Sequence, residues 1–239
     1  MKLSKLSHAV VVASLMAAGA AQAAVKTSGS VALTSDYLFR GISQSAENMA
    51  VQGSFTVTHD TGVYFTAWGS SISQEATLQG TSSGLELDTL LGYAGSQGDV
   101  GYDVGVMRYN YPGADKATTS SYDEVYASAT YKGAKVGIAY SPDYFAETGK
   151  FVYLSADYGM AVTDKINATV HVGWNKFDND GTNAFLGASD AYFDYKAGVN
   201  TTVEGLGVEL AYIGSDKIAQ SVYGENAEGR VVATVPKSF

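Results

Sequence analysis

The chain has 239 residues, no cysteine, 15 Lys and Arg against 24 Asp and Glu, and a formal net charge of −9. That balance excludes a nucleic-acid-binding surface, which needs clustered Lys and Arg, and the missing cysteines exclude a disulfide framework. With 27 Gly, 17 Tyr and only 3 Pro, the composition suits strands, since Tyr is enriched in sheets and Pro cannot donate to a ladder.

Residues 1–23 read as a cleaved secretory signal peptide. Lys2 and Lys5 make a basic start, Ala9 to Ala21 is a short run of mainly apolar and small residues, and Ala21-Gln22-Ala23 is a small-x-small cleavage site. The run is too short to span a bilayer, which takes ~20 apolar residues in a helix. The remaining 24–239 form one expected domain. Alternation of apolar and polar residues predicts strands at 30–40, 49–58, 63–72, 85–95, 100–111, 122–131, 136–141, 150–158, 165–175, 190–200, 206–213 and 229–239. Side chains on a strand point to opposite faces with period 2. The ninth segment is the clearest: Ile166, Ala168, Val170, Val172 and Trp174 oppose Asn167, Thr169, His171, Gly173 and Asn175. In the third, Val63 and Phe65 compete with Tyr64 and Trp68, and no face is assigned.

The connections alternate between long and short. Arg40 to Asn48, Ser73 to Gly84, Pro112 to Ser121, Pro142 to Gly149, Lys176 to Ser189 and Gly214 to Glu228 are long. His59 to Gly62, Ser96 to Asp99, Lys132 to Lys135 and the links near Gly159 and Gly205 are tight. Outer-membrane barrels have short periplasmic turns and long outer loops. The expected fold is therefore all-β: a 12-stranded antiparallel, up-and-down transmembrane β-barrel with an apolar face to lipid and a polar face to the lumen. Aromatic residues on the apolar face fall at strand ends, as interfacial girdles require. Tyr93, Tyr102, Tyr131 and Tyr158 flank short turns, while Tyr37, Phe39, Tyr140, Trp174, Phe193 and Tyr212 flank long loops.

Ser35-Asp36-Tyr37-Leu38-Phe39-Arg40-Gly41-Ile42-Ser43-Gln44 resembles the opening signature of the TorF-type porin family, a proteobacterial group of outer-membrane proteins. The likeness continues at Gly62-Val63-Tyr64 with Trp68-Gly69-Ser70, at Glu86-Leu87-Asp88 with Gly92-Tyr93, and at Tyr109-Asn110-Tyr111-Pro112-Gly113. It resumes at Glu124-Val125-Tyr126, Tyr140-Ser141-Pro142, Asp194-Tyr195 and Lys237-Ser238-Phe239. The resemblance implies an outer-membrane barrel of a Gram-negative envelope with a pore role, and it brings no substrate. The tail also resembles the terminal signal that the barrel assembly machinery reads: Phe239 closes a run in which Val231, Ala233 and Val235 alternate, although Lys237 and Pro236 depart from the pattern.

The lumen-facing charges are the functional candidates. They are Asp36, Arg40, Glu86, Asp88, Asp103, Glu124, Asp157, Asp190, Asp194, Lys196, Glu209 and Arg230, with nine acids against three bases. A watery lumen with this imbalance would concentrate cations. The plainer alternative is an interior of mutually paired charges, since twelve strands lie between filled and open barrels. Arg40 either shapes a constriction or neutralises Asp36 and its neighbours. Arg108 falls on the lipid side, where it can snorkel or be turned inward by a bulge.

His171 also faces the lumen, and no Ser-acid arrangement adjoins it in sequence, so an embedded lipid-modifying enzyme is the weaker rival. Two histidines beyond the signal peptide, His59 and His171, and no cysteine argue against zinc. Asp178-Asn179-Asp180-Gly181 lacks the later Glu of a calcium loop. The expectation is a cofactor-free, cation-favouring diffusion channel for small polar solutes, in contact with outer-membrane lipid, or alternatively a non-conducting adhesive barrel. Its oligomeric state is left open.

Overall fold

The structure is a computed structural model that describes residues 25–73, 83–114, 121–178 and 189–239. The expected signal peptide and the Asn179-Asp180-Gly181 stretch lie outside the described residues. In chain order the strands are β1 (Val25–Thr34), the short β2 (Leu38–Phe39) and β3 (Ile42–Ser43), β4 (Ala50–His59), β5 (Val63–Ser71), β6 (Leu85–Gln97) and β7 (Val100–Asn110). They continue as β8 (Tyr122–Tyr131), β9 (Ala134–Ser141), β10 (Phe151–Ala161), β11 (Asn167–Phe177), β12 (Ala191–Val203), β13 (Leu206–Ser215) and β14 (Arg230–Ser238), with helix α1 (Lys217–Tyr223) before the last strand.

β1 and β4 to β14 form one closed antiparallel barrel, so the twelve-stranded expectation is met. Closure falls between β1 and β14, from Ser30 opposite Ser238 to Thr34 opposite Thr234. A closed barrel leaves no unpaired edge, which is the condition for strands to cross a bilayer. The outward face is mainly apolar: Val51, Phe55, Leu91, Val106, Val136, Val170 and Leu210 are all exposed. Inward residues of the wall, such as Thr56, Thr66, Glu86 and Glu124, are buried.

The connections at one end are tight. Lys132-Gly133 and Glu204-Gly205 have positive φ at both residues, the geometry whose twist matches two-residue hairpins. The link after β10 spans 162–166 rather than lying near Gly159, which sits inside the strand. Pro236 lacks an N–H, and the β13–β14 ladder accordingly ends at Glu209 opposite Thr234, two residues before it.

Three other expectations need correction or completion. The first barrel strand is Val25–Thr34, not 30–40. After Thr34 the chain leaves the wall because Asp36 gathers the hydroxyls of Ser43 (2.6 Å) and Ser45 (2.7 Å) and folds 35–49 inward. Tyr37 and Phe39 consequently belong to the interior, with Tyr37 packed on Trp68 and Phe39 on Tyr109, and not to the girdle. The remaining girdle residues keep their outward positions at the two ends: Tyr93, Tyr102, Tyr131, Tyr158, Phe193 and Tyr212 are exposed, and Tyr140 and Trp174 pair with the outward Val152 and Phe193. In β5, Val63 and Phe65 face out while Thr66 and Ser70 are buried, which settles the strand that alternation alone left unassigned. Arg108 stays outward in a regular ladder and pairs with Asp123 (2.9 Å) and Asn110 (3.2 Å), without a bulge.

Candidate functional site: the barrel interior

The inward segment is built around a second copy of the turn chemistry used at the short-turn end. Arg40 and Gly41 both have positive φ, 50° and 78°, so the chain reverses there and β2 pairs only with β3. The tip of this hairpin reaches the far wall. The Tyr192 hydroxyl donates to the Arg40 carbonyl at 3.1 Å. A Cβ on Gly41 would lie 2.6 Å from the Gly214 carbonyl oxygen, so only glycine fits the approach.

The Arg40 side chain then turns to Glu124 on β8. Its two terminal nitrogens donate to the two carboxylate oxygens at 2.8 Å each, and the side chains are only 7% and 3% exposed. Paired N–H groups in a planar fork match a carboxylate better than a lysine would. Phe39, Phe151 and Tyr153 lie 4.6, 4.8 and 4.4 Å from the guanidinium carbon, within cation–π range. Burial opposes the charge on Arg40, but the adjoining Glu124 carboxylate outweighs it and pushes the guanidinium pKa above its ordinary value.

Around the hairpin the outer half of the lumen is packed. Ile42 sits with Phe151, Phe177, Tyr192, Ala219 and Ala227. On the other side Tyr37, Ala50, Ile72, Tyr109, Tyr111 and Tyr122 form a second apolar group. Tyr144 bridges the two, stacking on Phe151 at 4.0 Å and tilting over Tyr122 at 4.6 Å. Rings in these offset and edge arrangements attract beyond their area of burial. The root of the hairpin is tied by Arg230, which donates to Asp36 at 3.2 Å and pairs with Glu47 at 3.0 Å.

Toward the short-turn end the interior is polar. His171 has the Asp157 carboxylate 2.7 Å from Nδ1 and the Asp194 carboxylate 3.0 Å from Nε2, with the Tyr153 hydroxyl at 2.9 Å. Asn175 donates to the second Asp194 oxygen at 2.7 Å. Gly173 leaves the room this network needs, since a Cβ there would lie 2.2 Å from the Tyr153 hydroxyl. A carboxylate at each ring nitrogen suits a doubly protonated imidazole, and the ring's partners are acids and a phenol, with no serine among them. Lys196 pairs with Glu209 at 2.5 Å. Asp103 accepts from Tyr64 at 2.8 Å and from Tyr126 at 3.3 Å.

The sequence-derived candidates thus separate into groups. Arg40 with Glu124, Arg230 with Asp36, Lys196 with Glu209, and His171 with Asp157 and Asp194 are brought together as pairs. Glu86 and Asp88 are buried on β6, and among the described residues neither has a basic partner. Among the described residues Glu86 Oε2 and Asp88 Oδ1 have no hydrogen-bond partner. Asp190 does not enter the lumen: it precedes β12 at the rim, half exposed, and pairs with Lys176. Phe239 exchanges backbone hydrogen bonds with Gly29 at 2.9 and 3.0 Å, at the short-turn end. Sequence reasoning missed the aromatic filling. Its signal was present, because Tyr109, Tyr122, Phe151, Phe177 and Tyr192 stand on the parity that carries Asp103, Glu124, Asp157, His171 and Asp194 in their strands.

The barrel is similar to solved porins. The NanC porin superimposes with a TM-score of 0.53 at 10% identity, covering 88% of this chain and 97% of that one. The KdgM porin gives 0.53 at 9% identity over 89% and 99%, and its complex with disordered oligogalacturonate gives 0.52 at 8% over 89% and 99%. At these identities the likeness is one of fold. No protein with a curated description matches the chain. A family model described as a bacterial protein of unknown function, Gcw_chp, matches residues 17–239, and the chain belongs to that family.

Proposed function

We propose that this protein is an outer-membrane diffusion channel of the porin kind, reached by secretion through the periplasm of a Gram-negative envelope, that passes small polar solutes or ions and favours cations. The observation that carries the reading is a barrel mainly apolar on its outer face around an interior where acids outnumber their basic partners. Asp103 has no basic partner among the described residues, and Asp157 and Asp194 share the single imidazole of His171, so the local field attracts cations. A polyanion such as the oligogalacturonate of the KdgM complex would meet that field unfavourably. The TorF-type likeness of residues 35–44 fits the same role, as does assembly through a terminal strand ending in Phe239. No cofactor is required, and the contacts of His171 suit a wall-bracing ion network better than catalysis.

Reversal potential across a planar bilayer under a tenfold KCl gradient tests the charge preference. The expected sign is that of potassium permeating faster than chloride. A chloride-favouring sign would mean that the unpaired acids do not face the permeation path.

The packed outer half favours a second reading, a non-conducting barrel that acts through its outer loops. Discrete current steps from purified, refolded protein support the channel. Silence across a wide salt range supports the closed barrel.

A further inference from the structure

We propose that the β2–β3 hairpin is a gate, latched at its tip by Arg40 on Glu124 and hinged at its root by Asp36 on Arg230. The proposal rests on the channel reading above and assigns its regulation. The hairpin is an inward obstruction separable from the barrel wall. β2 and β3 pair with each other and with no barrel strand, so the segment can leave the lumen without breaking a wall ladder.

It is also internally braced. Gln44 N–H donates to the Tyr37 carbonyl at 2.6 Å, the Ser45 hydroxyl receives the Tyr37 N–H at 2.9 Å, and Asp36 holds Ser43 and Ser45. Besides the latch and hinge, the Tyr192 hydroxyl on the Arg40 carbonyl (3.1 Å) and the Ser73 N–H on the Gln44 carbonyl (2.8 Å) tie it to its surroundings, and once these part the internal bonds let it move as a unit.

The latch and hinge differ in kind. At the tip, the guanidinium has both carboxylate oxygens at 2.8 Å and aromatic rings around it. A buried charge parted from its partner there is costly unless it reaches water, so partial withdrawal is disfavoured and the hairpin has two discrete positions. At the root, Arg230 is shared between Asp36 and the half-exposed Glu47, a looser tie beside the outer rim. Withdrawal of the tip would carry Arg40, Ile42, Tyr37 and Phe39 out of the aromatic groups and join the polar lower lumen to the outside. Opening requires no bond rearrangement in the twelve-stranded wall.

The test is single-channel recording of purified, refolded full-length protein in planar bilayers, with far-UV circular dichroism to confirm the barrel in every variant. Wild type is expected to be mostly closed with brief openings. Arg40→Ala and Glu124→Gln are each expected to raise the open fraction at least tenfold. The charge exchange Arg40→Glu with Glu124→Arg is expected to bring it back toward the wild-type value. A variant with residues 37–47 replaced by a glycine-serine linker of equal length should stay open.

An open fraction unchanged in Arg40→Ala and Glu124→Gln, in a wild type that conducts, overturns the gate and leaves the channel intact. A linker variant that conducts while both single variants stay silent overturns the latch. Silence of the linker variant with its barrel folded overturns the channel reading and the gate with it.

Discussion

Phe151→Ala is expected to lower the unfolding free energy of the refolded barrel by about 3–5 kcal/mol, the range for truncating a fully buried phenylalanine in a packed core. Phe151 is 1% exposed. It stacks on Tyr144 at 4.0 Å, meets Phe177 at 4.9 Å and backs the Arg40 guanidinium at 4.8 Å. Alanine would leave a void that these rings fill only in part, because they are held from other strands and loops. Denaturant titration in lipid vesicles, followed by tryptophan fluorescence, gives the difference. A loss under about 1 kcal/mol would mean that the outer half is loosely filled and wet, since a water-filled site forfeits little packing.

The second large effect belongs to the outside of the barrel. Leu91→Arg is expected to cost about 2–4 kcal/mol and Val231→Arg about 0–1 kcal/mol, because a charge on the lipid face is penalised by depth. Both residues are outward and exposed, at 54% and 64%. Leu91 lies between Phe65 and Val106 in the middle of the apolar band, whereas Val231 is the second residue of β14, at the long-loop end. Exposure alone would treat the two alike or favour the less exposed site. The same titration separates them, and equal costs would say that no hydrocarbon gradient runs along the wall.

Much of this architecture was readable in the chain, for a specific reason. A wall with lipid on one side and a polar interior on the other imposes a period of 2, and β4, β11 and β12 state it over most of their length, Phe177 and Tyr192 being inward aromatics at the long-loop end. X-Gly turns such as Lys132-Gly133 and Glu204-Gly205 marked the short end. The same chemistry misled at the start. Val31 and Leu33 have the outward parity, and Tyr37 and Phe39 continue it in register, so alternation ran on past the true strand end. The Arg40-Gly41 dipeptide between Leu38-Phe39 and Ile42 was the missed cue, for it is the same two-residue turn placed inside the lumen.

The filling of the lumen was harder to read. Parity tells which side chains face inward but not how far they reach across, and meetings such as Arg40 with Glu124 or Tyr144 with Phe151 join residues far apart in sequence. Ion pairing was legible only as an alternative for the same reason. Parity gave nine acids and three bases, while the register that sets His171 opposite Asp157 and the reach of Lys196 across four positions to Glu209 are properties of the closed barrel.

The two tryptophans, Trp68 and Trp174, test the central claim most directly. Trp68 packs inside against Tyr37, with ring centroids 5.4 Å apart. Trp174 lies on the opposite parity, beside the outward Phe193 and Leu154. Quenching by lipids brominated on the acyl chain should be strong in Trp68→Phe, where Trp174 alone emits, and weak in Trp174→Phe. Strong quenching of Trp68 with a silent Trp174, or no quenching of either, would contradict a barrel whose apolar face meets hydrocarbon.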